Sequence, residues 1–417
     1  MASSSGHGWR LPPLTVFFGF LMDRFNANRI VAVDWEVASD RSFAHIIAKG
    51  TAPARPELGH SVHVEVNGLQ PASDYFYRFL AGSERSQVGR ARTFVAAGAP
   101  LAAFKLGVAG CQRYDDGFFT AYRHMAEENF DLIFHYGDYI YEYRQIAPGE
   151  RATPVARAMP RDYDETFTLV DYRNRYATYK ADPDLQAAHA SAPFAVSFDD
   201  HEVDNNWAGD VSEEADVPAE VFRLRREAAF QAWYEHMPVR LAQFPRGAAI
   251  QAYRRFRIGD LVTLNVLDTR QFRSDQPCGD GWKICPEASD PARTMMGEQQ
   301  ENWLYDGFRS QASRWNVLAQ QVLMMQLDRD PDPARLETHM DKWDSAVAAR
   351  NRLFSAIRDS SLSNPVVLTG DIHNNWAGEL KADFNDPSTQ TLGVEFVATS
   401  ISSGGDGADS RPDAAKM

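Results

Sequence analysis

Two patterns of hydrophobic and polar residues follow one another along the chain. Between residues 30 and 95, short runs such as IVAVDWEV, HSVHVEV and DYFYRF alternate apolar and polar side chains, and turn-rich stretches separate them. Alternation with a period of two is typical of strands that bury one face. We therefore expect a small antiparallel β-sandwich in this region.

The stretch GLQPASDYFYRF (residues 68–79) contains a local signature of such a sandwich. It resembles the corner of immunoglobulin and fibronectin type III folds, where a tyrosine after a turn hydrogen-bonds to the backbone upstream of it. The following stretch AAGAPLA (residues 96–102) has the composition of a linker. The sequence thus predicts a small N-terminal domain over residues 1–96.

From residue 103 the rhythm changes to short, strongly apolar segments that each end in a polar cluster. Helical patterning lies between them, for instance at residues 219–236 and 342–358. This alternation predicts an α/β domain over residues 103–417 that collects ligands at the carboxyl ends of its strands. The predicted strands are FKLGVAGC, FDLIFHYGD, PFAVSFDDHE, LVTLNVLDTR, WNVLAQQV, NPVVLTGDIHNN and VEFVATS.

Composition limits the classes of function. With 417 residues the chain is long enough for two or three domains, and a formal net charge of -14 argues against a nucleic-acid-binding surface. Nowhere do about 18 apolar residues run together, so no membrane-spanning helix is predicted. The apolar stretch at residues 11–21 lacks a basic leader and a cleavage site, so we interpret it as a strand or irregular terminus, with a signal peptide as the alternative.

The three cysteines divide into a close pair and a single residue. Cys278 and Cys285 lie seven residues apart in the Gly-rich loop CGDGWKIC, which favours a small disulfide and hence an oxidising compartment. Two reduced surface thiols are the alternative. Cys111 stands alone in GVAGCQ.

Four predicted strands end in residues that can bind a metal ion. Taken singly, a terminal Asp is more often a helix cap or a turn residue, and a lone His is usually structural. Caps alone do not account for a Cys, a Tyr, two His and several Asp arriving together, and we expect all four clusters on one edge of one sheet. The clusters are Cys111; Asp138 with Tyr141; Asp199, Asp200, His201 and Glu202; and Asp371 with His373.

This mixture of ligand types favours a binuclear hydrolase. Carboxylates suit hard ions such as calcium, magnesium or ferric iron, whereas thiolate and phenolate favour a strongly Lewis-acidic transition metal. A single carboxylate such as Asp138 can bridge two ions about 3.5 to 4 Å apart. At this spacing the two ions can bind the attacking and the leaving oxygen of a phosphoryl transfer.

Three long blocks carry a resemblance to a known family. They are GVAGCQRYDDGFFTAYRHMAEENFDLIFHYGDYIYEY, SFDDHEVDNNWAGD and VVLTGDIHNNWAGELKADF. They resemble the signature blocks of the PhoD family of alkaline phosphatases and phosphodiesterases, which includes phospholipase D-type members and belongs to the calcineurin-like metallophosphatase superfamily. The resemblance implies a metallophosphatase-type β-sandwich core with flanking helices, behind a small all-β immunoglobulin-like or fibronectin III-like domain.

The resemblance also implies a role for each matching residue. Ferric iron and a second ion, most simply calcium, are the implied cofactors, and His201 resembles the residue that protonates the leaving alkoxide. Arg113 is the best candidate to bind a phosphate oxygen, with a solvated surface charge as its alternative. The implied metal ligands are Cys111, Asp138, Tyr141 and His373 at iron, and Asp200 and Asp371 at the second ion, with Asp138 as the bridge.

The match has departures. Where the superfamily has a further ligand His, this chain has Gln320 or Gln321, which leaves the shell of the second ion open. Both ends differ from the family pattern, so we expect a chain truncated at its start and at its C-terminus. The family's habit of export, with the cysteine pair, predicts a secreted or cell-envelope protein.

The expected substrates are phosphomonoesters or phosphodiesters, with a phospholipid or a teichoic-acid-like polymer as further partners. Hydrolysis by a metal-activated hydroxide is the predicted function, and phospholipase D-type hydrolysis is its alternative. A hypothesis of another class is a calcium-stabilised binding module without catalysis. That module explains the acidic clusters, but not Cys111, Tyr141 and His373 on separate strand ends.

Overall fold

The computed structural model describes residues 14–16, 28–146, 157–160, 163–309, 313–332 and 334–405. Over these residues, none of the helices is both long and apolar enough to cross a membrane. Of the apolar stretch at residues 11–21, only the strand Leu14–Val16 lies inside the described part, and its backbone pairs with Val62–Val64.

The N-terminal region is an all-β unit, as predicted. A five-stranded antiparallel sheet has the order β3-β2-β5-β6, with β7 paired to β5, and β1 pairs with β4 beside it. The strands are β1 (Leu14–Val16), β2 (Val31–Ala38), β3 (Ile46–Ala54), β4 (Val62–Val64), β5 (Asp74–Ala81), β6 (Glu84–Arg85) and β7 (Gly89–Arg92).

The core of this unit follows the alternation seen in the sequence. Val33 and Val37 of β2 and Phe79 of β5 point into one apolar cluster. The backbone N–H of Gln70 donates to the hydroxyl oxygen of Tyr75 at 2.9 Å, so the predicted tyrosine corner is present.

The larger region contains two sheets that run mainly parallel. Strands β8, β9 and β10 form a parallel three-stranded sheet, and β12, β14, β16 and β18 run parallel in a six-stranded sheet with antiparallel edges β11 and β17. A two-stranded ribbon pairs β13 with β15. The strands are β8 (Leu106–Ala109), β9 (Leu132–His135), β10 (Phe194–Val196), β11 (Arg254–Ile258), β12 (Val262–Val266), β13 (Trp282–Lys283), β14 (Trp315–Ala319), β15 (Thr338–His339), β16 (Pro365–Thr369), β17 (Trp376–Lys381) and β18 (Thr391–Val397).

Six helices cover the outer faces of these sheets within the described residues. The predicted helix at residues 219–236 has those bounds, and the one predicted from residue 342 begins at Val347 after a 3-10 turn over Trp343–Ala346. The helices are α1 (Thr120–Glu127), α2 (Leu169–Lys180), α3 (Pro183–Ser191), α4 (Ala219–His236), α5 (Gly297–Arg309) and α6 (Val347–Asp359).

The layers are helix, sheet, sheet, helix. In β9, Phe134 faces the cluster between the two sheets, whereas Ile133 faces the cluster shared with α1–α4. In β14, Val317 faces the inter-sheet cluster and Leu318 faces α5 and α6. Strands buried on both faces explain the continuous apolar runs in the sequence. The expectation that all metal-capable clusters lie on one sheet is wrong, because they divide between these two.

The all-β unit contacts the larger region through specific side chains. The ring of His63 stacks on Tyr234 at 4.2 Å, and its Nδ1 lies 3.0 Å from the carbonyl oxygen of Val239. Arg90 of β7 donates to the carbonyl oxygens of Phe130 and Ser191, each at 3.2 Å.

Candidate metal centre

The loops that follow β8, β9 and β16 have an unusual backbone. Cys111, Asp138, Asp371 and His373 all have positive φ values, of 52°, 54°, 70° and 55° respectively. Non-glycine residues rarely adopt this left-handed region, and such conformations concentrate at functional sites where the surrounding fold imposes them. Four of the six predicted metal ligands therefore share this uncommon backbone conformation, which eight other non-glycine residues of the described part of the chain also adopt.

Tyr136 and the neighbouring glycines hold these loops together. A Cβ on Gly110 or on Gly370 would lie 2.1 or 2.0 Å from the Tyr136 ring, and these glycines directly precede Cys111 and Asp371. The Tyr136 hydroxyl donates to the carbonyl oxygen of Thr399 at 3.2 Å. Tyr136 is thus a packing residue that lies between loops from both sheets.

We call Cys111, Asp138, Tyr141 and His373 the first half-site. Asp138 Oδ2 lies 3.3 Å from the Cys111 Sγ and 3.1 Å from the Tyr141 hydroxyl. The same hydroxyl lies 3.1 Å from His373 Nε2. The structure therefore brings together a thiol, a carboxylate, a phenol and an imidazole from three separate loops.

Burial makes the acids of the first half-site costly to ionise unless a cation binds them. Burial, together with the charge of Asp138, raises the pKa of Cys111 well above its usual value. Burial likewise raises the pKa of Asp138, and burial with the charges of Asp138 and Cys111 raises that of Tyr141. Asp138 Oδ1 is buried and accepts no hydrogen bond from any described residue. Because a metal ion offsets these costs and binds such an oxygen, the donor set fits one.

A segment beyond β18 completes the first half-site. The carbonyl oxygen of Gly404 accepts a 2.6 Å hydrogen bond from His373 Nδ1, which leaves Nε2 as the ligand atom. The Ser403 hydroxyl lies 2.7 Å from the Tyr141 hydroxyl. Sequence reasoning missed Ser403 and Gly404, because nothing in the run ISSGGDG points to a contact with β9 or β16.

We call Asp199, Asp200 and Asp371 the second half-site. Each offers an oxygen within 4.8 Å of the others, and Asp199 Oδ2 and Asp200 Oδ1 accept no hydrogen bond from the described residues. Asp200 also lies near Asp138 and His201, so Asp138 lies beside a residue of each half-site.

Unlike the first half-site, the second lies against positively charged side chains. The fully buried Arg270 donates to Asp199 Oδ1 at 2.5 Å, to Asp341 Oδ1 at 2.7 Å and to Asp371 Oδ1 at 3.2 Å. Although burial opposes ionisation, Arg270 and His201 lower the pKa of Asp200 to about 2. Asp199 is the exception, because burial raises its pKa even beside Arg270.

Lys342 and two glutamines lie in the region where the superfamily has its further ligand His. The Lys342 ammonium contacts Asp371 Oδ2. Gln320 binds Val322, Thr369 and Trp343, and Gln321 binds Ser197, Leu267 and Thr269, so both amides serve the sheet. Neither glutamine side chain is presented to the site, and Arg270 and Lys342 lie beside the carboxylates instead.

His201 lies at the edge of the two half-sites. Its ring stacks on Tyr141 with centroids 4.0 Å apart, and its Nδ1 lies 2.7 Å from Glu142 Oε2. Although burial disfavours the charged ring, Glu142, Asp200 and Asp138 raise the pKa of His201 well above its usual value. The buried Glu142 therefore orients the His201 ring through Nδ1. Sequence reasoning gave no role to Glu142.

Arg113 and three asparagines lie next to this centre. Arg113 donates from Nε to Asp115 Oδ1 at 3.0 Å, and its guanidinium carbon lies 5.8 Å from the Tyr141 ring centroid, so it is neither fully solvated nor free of an acidic partner. A cavity of about 640 Å³ opens onto both half-sites. Its lining includes Asp138, Asp200, His201, Asn205, Asn206, Lys342, Asp371, His373 and Asn374.

A four-layer sandwich with such metal-capable side chains at its strand ends has the architecture of a metallophosphatase. Comparison with known proteins identifies the family more closely. The model described as "PhoD-like phosphatase" matches residues 106–417, and that described as "PhoD-like phosphatase, N-terminal domain" matches residues 21–95. The chain belongs to the PhoD-like phosphatase family, and the predicted family and fold class are confirmed.

Two relatives show how close this similarity is. Alkaline phosphatase D of Bacillus subtilis (strain 168) is 47% identical over 387 residues, which cover 93% of this chain and 66% of that relative. The chain thus spans slightly less than two thirds of the length of that protein. A solved structure titled "Structure of PhoD" superposes with a TM-score of 0.89 at 42% identity, covering 98% of this chain and 80% of the other.

Proposed function

We propose that this chain hydrolyses phosphate esters at a binuclear metal centre formed by the two half-sites. The observation that carries the proposal is the convergence of Cys111, Asp138, Tyr141 and His373, whose ligand atoms meet in a buried place with an unpaired carboxylate oxygen. Membership of a phosphatase family supports the same reaction class. Two bound ions would supply a hydroxide nucleophile and neutralise the phosphoryl oxygens.

We assign ferric iron to the first half-site and calcium to the second. Thiolate and phenolate are soft or strongly donating ligands that favour a Lewis-acidic transition metal. Asp200 and Asp371 offer hard oxygens, which suit calcium, and Asp138 lies between both positions. The proposed metal ligands are those six residues: Cys111, Asp138, Tyr141, His373, Asp200 and Asp371.

Two side chains act on the substrate in this proposal. His201, held by Glu142 at 2.7 Å, protonates the departing alkoxide. Arg113 lies on the Tyr141 side of the centre, and its guanidinium binds a non-bridging phosphate oxygen once a substrate competes with Asp115. Phosphomonoesters and phosphodiesters are the proposed substrates, with phospholipids or anionic phosphate polymers as larger forms of the same chemistry.

The domain boundaries and location are also proposals. The separate apolar core of the β-unit supports a domain at residues 1–96 in front of a catalytic domain at residues 103–417. Cys278 and Cys285 form a disulfide, which supports a secreted or cell-envelope location. Family membership does not favour phospholipase D-type activity or a non-catalytic calcium-stabilised module.

Replacement of the bridging carboxylate tests the proposed function. Asp138→Asn removes the charge that both ions share, and we expect kcat/KM for bis(p-nitrophenyl) phosphate and p-nitrophenyl phosphate to fall by about 10³-fold. Elemental analysis of the same sample should show that both metals are depleted. The matched control is Asp306→Asn on the exposed surface of α5. Unchanged hydrolysis by a folded Asp138→Asn protein would contradict the proposal.

A further inference from the structure

A second cavity lies at the junction of the β-unit and the catalytic region, away from the metal centre. It has a volume of about 180 Å³. Tyr77, Gln87 and Gly89 of the β-unit form one side of it, and Tyr139 and Lys180 lie on the other. Tyr139 follows Asp138 in the chain but points the opposite way, because its hydroxyl lies 2.8 Å from His189 Nε2.

Lys180 at the end of α2 is the charged group of this cavity. Its side chain is only 9% exposed, yet no carboxylate among the described residues pairs with it. This is unusual, because buried Lys and Arg normally have an acidic partner. Arg270 and Lys342 follow that rule in the metal centre, where each contacts at least one Asp.

The groups around Lys180 are polar but uncharged. They include His135, His189 and His236, whose pKa values burial lowers so that the rings stay neutral, and the rings of Tyr139 and Tyr176. The Tyr139 ring centroid lies 5.0 Å from Nζ. Burial lowers the pKa of Lys180 to about 7, so an anion that entered the cavity would also restore its proton.

We propose that this cavity is a binding site for a small organic monocarboxylate, whose carboxylate pairs with the Lys180 ammonium and whose apolar body packs against Tyr77, Tyr139 and Leu185. A single cation balances a single negative charge. The walls are more apolar than polar, since Leu185, Ala190 and Pro238 join the tyrosines there. Such a lining with one charged anchor is the usual design of a small-molecule site.

Inorganic phosphate fits the cavity less well. At neutral pH it carries up to two charges and offers four oxygens that need donors. Here Ser86 already donates to the carbonyl oxygen of Gln87, and the Gln186 amide donates to that of Lys180. The site therefore differs in ligand class from the metal centre, and its occupancy does not depend on the proposed phosphatase activity.

Calorimetric titration of the whole chain with sodium benzoate at pH 7 tests this proposal, with benzamide as the uncharged analogue and inorganic phosphate as the competing anion. We expect benzoate to bind and Lys180→Met, which keeps the chain length without the charge, to weaken it by at least 10-fold. The exposed Lys49→Met serves as the matched control and should bind benzoate as the parent does. Benzoate binding of equal strength in Lys180→Met, or binding of phosphate alone, would overturn the proposal.

Differential labelling gives a readout that needs no variant. Acetic anhydride modifies uncharged amines, and benzoate should slow modification of Lys180 at least 5-fold while leaving that of Lys49 unchanged, as measured by peptide mass spectrometry. If benzoate does not protect Lys180 in the parent protein, the cavity is not a carboxylate site.

Discussion

The two half-sites lie side by side, yet their charges are arranged in opposite ways. In the first, Asp138 contacts Cys111 and Tyr141, and Tyr141 contacts His373; the guanidinium carbon of Arg113 lies 5.8 Å from the Tyr141 ring centroid. In the second, Arg270 contacts Asp199 and Asp371, Lys342 contacts Asp371, and Arg273 pairs with the neighbouring Asp341. The acids of the first half-site thus have no ion pair with a described Lys or Arg, whereas those of the second have a partial charge balance built into the chain.

This difference predicts the charge state of each half-site when no metal ion is bound. Buried acids without a cation take up protons, which is the direction of the raised pKa values of Cys111, Asp138 and Tyr141. Against burial, Arg270, Arg273 and Lys342 lower the pKa of Asp341, so this carboxylate stays ionised. Loss of metal should therefore neutralise the first half-site and leave the second as an ion-pair network.

Removal of Arg270 should have the largest effect on this network. Arg270→Met leaves Asp199, Asp341 and Asp371 without their shared donor, and breaking a buried ion pair from one side costs about 3 to 5 kcal/mol. We expect the free energy of unfolding of the metal-depleted protein to fall by roughly that amount in urea titrations. The control is Arg358→Met, whose partner Asp359 is exposed. Equal stability of the two variants would show that the network is not a structural charge balance.

Replacement of the phenol should weaken the first half-site without unfolding it. Tyr141→Phe keeps the ring stacked on His201 and removes only the hydroxyl, so we expect roughly 10- to 100-fold weaker iron binding. A phenolate bound to ferric iron gives a visible charge-transfer band, and absorption spectroscopy should show its loss. Tyr143→Phe is the matched control, because Tyr143 contacts the same His201 ring edge-on, with centroids 5.2 Å apart, and is not one of the proposed ligands. A variant with an unchanged band would exclude Tyr141 as the ligand.

The strand ends were predictable because each is marked locally. Apolar runs such as LIFH and WNVLA mark strands buried on both faces, and the polar residues that follow them mark the loops of the site. The helix at residues 219–236 and the disulfide between Cys278 and Cys285 were predictable for the same reason. The six proposed metal ligands lie together in the structure, and their roles remain predictions.

What sequence could not provide is the pairing of distant groups. Arg270 reaches Asp199 across 71 residues, and Ser403 reaches Tyr141 across 262, so neither contact leaves a local pattern. The division of the site between two sheets depends on how β10 and β12 lie in different layers, which no single run of residues encodes. The contact of Glu142 with His201 was equally unpredictable, because it follows from the burial of Glu142 and not from its position after a strand.

Replacement of Lys342 has the smallest expected effect and tests the built-in charge balance of the second half-site most directly. Its ammonium contacts Asp371 Oδ2, so it competes with any ion that binds this carboxylate. Lys342→Met removes the competitor, and we expect calcium to bind roughly 10-fold more tightly, equivalent to about 1.4 kcal/mol. Calcium titration of iron-loaded protein measures this change, with the exposed Lys105→Met as control. Weaker calcium binding in Lys342→Met would mean that Lys342 orients Asp371 for the ion and does not compete with it.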